Sequence, residues 1–383
     1  MANPTVSVII PCYNSEATVG ETLRSLQNQT FRHWEAIVVN DGSTDGSAKI
    51  IRHYQASDSR IQQIDQENQG LPGARNAGLA VKKGKFVHFL DADDLLLPNM
   101  LQRMVETLRK DQSIGAVHCG WIYSDARAQD LSWAVFAGLE EQPFLQLGHG
   151  YCPPPHSLLL RSEVLKNVGL FDVTLKHCHD WDLWLRVART GIRFGRVRDP
   201  LVIYRMMRET LSRNPTTFFQ AGKKVIHVAH SSDARVKTPD AKFAKGCGCT
   251  MQEITLHWLI YCVGFAIAKG DPVQASELFE TTIVEENLQV SPSDMYAMTN
   301  AIWIGSAIPK GKWDLLLPHV STPLLQFLIR EEEHLGIPGF TILSMLEIAG
   351  WRELQRKANP DNVGANKLLR ALKKKILWRL FRL

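Results

Sequence analysis

Long apolar runs are missing from this 383-residue chain. The longest, Ile254 to Ala268, contains His257 and falls short of the ~18 to 20 residues that a membrane-spanning helix needs, so a buried helix is expected there. Cysteine is scarce and odd in number. Cys12, Cys119, Cys152, Cys178, Cys247, Cys249 and Cys262 are scattered and suggest no disulfide framework. His177-Cys178-His179 and Cys247-Gly248-Cys249 lack the usual spacing of structural zinc ligands, which argues against zinc. Met1 to Thr5 has neither a charged n-region nor an apolar core, so no secretion signal is expected and the thiols are read as free in a reducing cytoplasm.

A surplus of one charge is lacking over most of the chain. Seven basic residues and no acid lie in Val363 to Leu383, leaving 37 bases against 39 acids elsewhere, which excludes a general nucleic-acid-binding surface on the body. Hydrophobic residues at 45% and charged residues at 22% exclude disorder and a coiled coil and predict a packed core. The length exceeds one ordinary domain, so at least two are expected.

Strand and helix signals alternate through the first half. Val6 to Ile10 reads as a buried strand ended by Pro11, and Glu16 to Gln29 carries helical spacing at Val19, Leu23 and Leu26. The step repeats with Ala36–Val39 and Asp45–Tyr54, Ile61–Ile64 and Gly73–Val81, then Phe86–Leu90 and Pro98–Arg109. Such alternation predicts an α/β fold with a mostly parallel central sheet and ligands at the carboxyl ends of its strands. From Gln112 to Arg198 the pattern is mixed, with strands near Ala116–Cys119 and Ser157–Leu160 and a helix over Asp180–Thr190. Beyond Asn214 helical periodicity dominates. Ala266 to Ile283 looks like a helix-turn-helix unit without a second copy at a fixed period. The expected organisation is an α/β domain over 1–214, an α-helical domain over 215–362 and a basic amphipathic helix over 363–383.

Two acidic motifs fall at strand ends. Asn40-Asp41-Gly42-Ser43-Thr44-Asp45 follows the second strand, where Asp41 can accept hydrogen bonds from a base or ribose, while Ser43, Thr44 or Asp45 can cap the next helix. Leu90-Asp91-Ala92-Asp93-Asp94 places three carboxylates within four residues, a repulsion that a divalent cation would relieve. Asp94 is read mainly as a cap for the following helix, leaving Asp91 and Asp93 to a ligand. Trp181 and Trp184 have two readings, an acceptor-sugar platform or core packing, with core preferred for Trp184.

Together these motifs resemble glycosyltransferase family 2, the inverting nucleotide-sugar transferases of the GT-A fold. The resemblance covers about the first 215 residues. It rests on Val8-Ile9-Ile10-Pro11-Cys12-Tyr13-Asn14, the two acidic motifs, Asn68-Gln69-Gly70, Ala74-Arg75-Asn76-Ala77-Gly78, Gly169-Leu170-Phe171-Asp172, His179-Asp180-Trp181-Asp182 and Tyr204-Arg205. It implies that Pro11, Tyr13 and Asn14 line a nucleoside pocket, that Asp41 bonds the base and that Arg75 lies against it. Asp91 would hold the ribose, and Asp93 a divalent cation, Mn²⁺ or Mg²⁺. Asp180 would be the catalytic base, although it also reads as the N-cap of its helix. Implied partners are a nucleotide-sugar donor, with UDP-sugars the commonest in the family, and a glycan or lipid-linked saccharide acceptor. An anionic membrane surface would be met by the C-terminal basic helix, so the location is expected to be cytoplasmic or peripheral on the inner membrane face.

One departure stands out. Many members carry a histidine two residues after Tyr-Arg, and here Tyr204-Arg205 is followed by Met206-Met207-Arg208. A thioether is a poor ligand for Mg²⁺ or Mn²⁺, so either metal affinity is reduced or Arg208 shares the phosphate charge. Two rivals remain. A sugar-phosphate nucleotidyltransferase needs a Gly-rich loop after the first strand, which Pro11-Cys12-Tyr13-Asn14-Ser15 is not, and that absence also counts against a dinucleotide-dependent dehydrogenase. A nucleotide-sugar-binding protein without turnover is opposed by the intact Asp180 and kept open by Met207.

Overall fold

A computed structural model describes residues 3–129, 131–135, 137–150, 152–206, 214–248, 250–306 and 313–338, together with 340, 341 and 344. Met207, Arg208, Cys249 and the basic segment 363–383 lie outside the described residues. The chain divides into two compact units, one built from Met1–Ser124, Trp133–Arg205 and Lys224–Cys249, the other from Asp125–Ser132, Met206–Lys223 and Thr250–Leu383.

In chain order the elements begin β1 (Val6–Cys12), α1 (Val19–Gln27), β2 (Trp34–Asp41), α2 (Ser47–Ser57), β3 (Ile61–Gln66), α3 (Gly70–Val81), β4 (Phe86–Phe89), β5 (Leu95–Leu96) and α4 (Met100–Lys110). They continue with β6 (Ile114–Ser124), β7 (Leu131–Val135), α5 (Pro143–Gly148), β8 (Leu158–Arg161), α6 (Val164–Val168), α7 (His179–Arg189), β9 (Arg193–Arg205) and α8 (Pro215–Ala229). The remainder is helical: α9 (Met251–Ala268), α10 (Pro272–Glu285), α11 (Met298–Ser306) and α12 (Trp313–Leu335).

The strands form one nine-stranded sheet in the order β3-β2-β1-β4-β8-β6-β9-β5, with β7 paired to β6. The four strands read from the alternating pattern are mutually parallel, in register from Val6↔Trp34 to Cys12↔Asn40 between β1 and β2. Beyond β4 the sheet is mixed, because β8 runs antiparallel to both β4 and β6 while β9 is parallel to β6. β1 and β2 are buried along their length apart from a half-buried Glu35, as a parallel sheet covered on both faces requires. Ala74 of α3 packs on Ile37 and Val39, with Ile64 and Ala77 at the edge of that cluster.

Two strand expectations are corrected. β1 does not end at Pro11 but runs on through it to Cys12. Its ladder with β4 stops at Ile9↔Phe89, so only β2 accompanies the last residues and the missing proline N–H is tolerated. The 13-residue β9 is not visible in the pattern, because Asp199-Pro200 reads as a break. The structure puts Pro200 opposite Gly120, where the β6–β9 register is irregular, a kind of place in a paired strand that accepts a proline.

In the helical unit, α9 is long and apolar enough by composition to cross a bilayer, yet most of it is buried inside the unit, which matches the core helix expected. Gly264 lets α11 approach, since a Cβ there would lie 2.8 Å from the Met298 carbonyl and 2.9 Å from Ala301 Cβ. The turn into α10 follows helix-start chemistry. Asp271 is the N-cap and accepts from Gln274 N at 2.9 Å, and Pro272 occupies the first turn. Phe279 and Phe327 then meet edge-on at 5.5 Å between α10 and α12.

Candidate active site

β1 has β2 on one side and β4 on the other, so chain direction across the sheet reverses at β1 and a crevice opens at the carboxyl ends. The predicted residues gather there. β1 delivers Pro11, buried, and then Tyr13 and Asn14. Tyr13 remains 51% exposed, unusual for so large an aromatic and suited to stacking. Asn14 adopts φ 47°, and its Oδ1 accepts from Thr44 N at 2.8 Å. Asn14 therefore ties the β1 and β2 loops together. Asp45 Oδ1 accepts from Ser47 N at the start of α2, but Gly46 holds the N-cap position and makes no side-chain cap, so none of Ser43, Thr44 and Asp45 is the N-cap read for them.

Asp41 ends β2 and is 3% exposed. Its Oδ1 accepts from Gln66 Nε2 at 2.6 Å and from Gln69 N at 2.9 Å. The turn after it needs Gly42, at φ +74°, where a Cβ would press within 3.0 Å of Asn68 N. A carboxylate held at one oxygen by two donors is pre-oriented to accept a further N–H at the other.

After β4, Asp91, Asp93 and Asp94 separate into different surroundings. Asp91 pairs with Arg75, Nη2 to Oδ1, at 2.6 Å. Burial works against its charge, but Arg75 together with His156 and His179 outweighs burial and holds the carboxyl below its usual value. Asp94 is fully buried. Its Oδ1 accepts from Arg205 N at 2.9 Å and its Oδ2 lies 2.7 Å from His156 Nδ1. Asp94 is therefore not the cap it was read as, since α4 begins at Met100 with Asn99 in the N-cap position. Burial raises the Asp94 carboxyl, while burial of His156 is outweighed by Asp94 and the imidazole is raised above its usual value.

Asp93 is half-buried, and among the described residues no side chain bonds to it. Burial and the Asp94 and Asp91 charges push it up to about 8. One oxygen or nitrogen from each of Asp91, Asp94 and His156 lie within 4.8 Å of one another, a spacing that can hold a cation. His156 was not anticipated. It stands in a single 3₁₀ turn, Pro155–Ser157, before β8, and no spacing motif marks it.

Asp180 is the second residue of α7, and the N-cap position belongs to Cys178, so the capping alternative for Asp180 is not what the fold adopts. Its Oδ1 accepts from Trp181 N at 2.9 Å. The preceding His179 places its Nε2 2.8 Å from Arg75 Nη1, which joins the start of α7 to the acids after β4. Trp181 and Trp184 are 2% and 0% exposed, so both belong to the core and neither offers a sugar platform. Asp182 is equally buried and committed to Arg186 and Arg235.

Residues 7–169 match the family described as Glycosyl transferase family 2. Residues 7–169 thus form a glycosyltransferase family 2 domain. An uncharacterized glycosyltransferase of Rickettsia typhi is 34% identical over 196 residues, 49% of this chain and 60% of the relative. EpsJ of Bacillus subtilis, also an uncharacterized glycosyltransferase, is 32% identical over 224 residues, 55% of this chain and 64% of the relative. The matches thus span about 60% of the length of such family 2 relatives. Residues 1–349 of Staphylococcus aureus TarS, solved with UDP-GlcNAc, superpose over 91% of this chain and 92% of theirs, with a TM-score of 0.53 at 18% identity. At that identity the likeness establishes the fold, which is GT-A.

Proposed function

We propose that this chain transfers a sugar from a nucleoside-diphosphate sugar, a UDP-sugar in the first instance, to a hydroxyl of a glycan or lipid-linked acceptor with inversion. The observation that supports it is the bonded line Asp91–Arg75–His179, which ties the residue before Asp180 to the first of the acids after β4. In this reading Pro11, Tyr13 and Asn14 bound the nucleoside pocket. Asp41 accepts the N–H that uracil presents, with its geometry set beforehand by Gln66 and Gln69. Arg75 lies against the nucleotide, and Asp91 accepts from the ribose hydroxyls.

Asp180 takes the proton of the acceptor hydroxyl as its oxygen attacks the anomeric carbon and the bond to the diphosphate breaks on the opposite side. A single attack from the face opposite the leaving group inverts the centre. Asp93, without a bonded side chain among the described residues, fits a divalent cation better than Asp94 or His156, which are committed to each other, and a cation bound there would displace the proton that Asp93 otherwise holds. Such a cation would neutralise charge developing on the leaving diphosphate. The basic segment 363–383 would hold the chain at an anionic membrane on the cytoplasmic face, where lipid-linked acceptors are found. Deleting residues 365–383 is expected to abolish sedimentation with anionic liposomes at low salt and leave donor hydrolysis intact.

The main test is release of UDP from UDP-glucose, UDP-galactose and UDP-GlcNAc with Mn²⁺, in the wild type and in Asp180→Asn. Turnover should fall by roughly 10² or more while UDP affinity holds. Near-full turnover in the variant would remove Asp180 from this role, and no turnover by the wild type would favour a binding protein instead.

A further inference from the structure

The reading above uses His179 as a link in the site but gives its ring no role of its own. Arg75 is 1% exposed, and its guanidinium reaches Asp91 Oδ1 with Nη2 at 2.6 Å and His179 Nε2 with Nη1 at 2.8 Å. A guanidinium has donors only, so His179 Nε2 must accept, and a ring that accepts there carries its proton on Nδ1. Burial and the Arg75 charge keep the ring neutral, pushing it down to about 4.

The surroundings fix Arg75 in this pose. Its guanidinium carbon lies 5.3 Å from the centre of the Phe171 ring, and that ring meets His179 edge-on at 5.9 Å. Phe171 is itself clamped by Asn76, the neighbour of Arg75, through Nδ2 to the Phe171 carbonyl at 2.9 Å and Phe171 N to Oδ1 at 3.0 Å. The start of α7 is strained: Cys178 is in the left-handed region at φ 57°, which a non-glycine residue adopts only when its surroundings impose it, and it makes no side-chain cap. Trp181 Nε1 bonds the Leu147 carbonyl at 2.7 Å on one side of this turn, and the bond from His179 to Arg75 is the contact that ties it to the acids after β4.

We propose that His179 is a positioning residue for transfer: its Nε2 accepts from Arg75 and thereby holds the first turn of α7, with the Asp180 carboxylate, in register with the donor-binding Asp91. The proposal rests on the glycosyltransferase reading. It concerns a residue that touches neither donor nor acceptor and acts through Arg75.

Two variants separate positioning from packing. His179→Phe keeps an aromatic ring without an acceptor, and His179→Gln keeps an acceptor without the ring. With UDP-glucose, UDP-galactose and UDP-GlcNAc as probes, H179F should lower kcat about tenfold or more while KM and UDP affinity stay within about twofold, and H179Q should recover most of kcat. A packing role alone would make both variants follow their thermal stability, with no recovery in H179Q. An activity-independent readout is the ¹⁵N spectrum of the histidine-labelled wild type. The ring signal absent from H179Q should show the Nδ1–H tautomer and remain neutral at about pH 5, as the neutral ring requires. An Nε2–H tautomer overturns the proposal whatever the activity. Wild-type turnover with an insensitive H179F overturns this proposal alone, whereas a wild type without turnover overturns the glycosyltransferase reading as well.

Discussion

Three aspartates within four residues end up chemically distinct because each meets a different neighbour. Asp91 meets Arg75, Asp94 meets His156 and the Arg205 N–H, and Asp93 meets no bonded side chain among the described residues. With a single protein carboxylate unspent, a cation should bind weakly to the empty chain and more tightly once diphosphate oxygens complete its shell. Metal must then raise nucleotide affinity by the same factor. Calorimetric titration of Mn²⁺ with and without UDP should show this coupling in the wild type and its loss in Asp93→Ala. Equal Mn²⁺ affinity in both conditions would place the charge compensation on side chains such as Arg208.

The element that aligns the site is α3, which carries adjacent residues with different tasks. Arg75 faces the acids and His179, while Asn76 pins the Phe171 backbone at both its N–H and its carbonyl. Removing a side chain that satisfies buried backbone groups leaves them unpaired, at about 1–3 kcal/mol. Asn76→Ala should therefore lower unfolding free energy by about that amount in urea and also reduce turnover, because the ring beneath Arg75 loses its anchor. Unchanged stability would show that the Phe171 loop is held by other contacts. The helical unit offers a control remote in sequence: Asp271→Ala should cost about 0.5–2 kcal/mol through the lost α10 cap, with no effect on UDP binding.

For the whole molecule the largest consequence is a dependence of stability on pH. Burial and the neighbouring carboxylates lift Asp93 to about 8, and burial lifts Glu331, a fully enclosed residue of α12, to about 7. A carboxyl raised on folding contributes stability that is fully present below its unfolded value and is lost as pH rises through its folded value. For these groups the window runs from about 4 to about 8. Asp58, held down to about 2 by Arg60, acts in the opposite sense below that window. His88, His118 and His179, each pushed down to about 4 by burial, oppose the carboxyls up to about 6.5, so the metal-free chain should lose thermal stability between about pH 6.5 and about pH 8, and Asp93→Asn should flatten the decline. Mn²⁺ with UDP should raise Tm more at the upper end of that range than at the lower. A slope unchanged in Asp93→Asn would show that Asp93 is not strongly raised in the folded chain.

The parallel half of the sheet was legible because its strands are continuous apolar runs separated by helices of clear period, and Asp41 and Asp91 were legible because they follow those runs. The helical character of the C-terminal half was readable for the same reason, and the Asp271-Pro272 helix start is a local signal that any chain would express. Tertiary structure alone decided the rest. β9 was hidden by a proline that an irregularity in the β6–β9 ladder accommodates. The tryptophans beside Asp180 could not be assigned to core or surface until α7 was packed. Asp94 looked like a cap because local rules see the next helix and not His156, which arrives from 62 residues further along the chain. The same holds for His179 and Arg75, a hydrogen bond across 104 residues. Periodicity and capping are local energies, written wherever the chain can satisfy them with near neighbours. Which carboxylate is paired, which is left for a cation, and which histidine faces an arginine depend on charges brought together by folding, and no local rule carries that information.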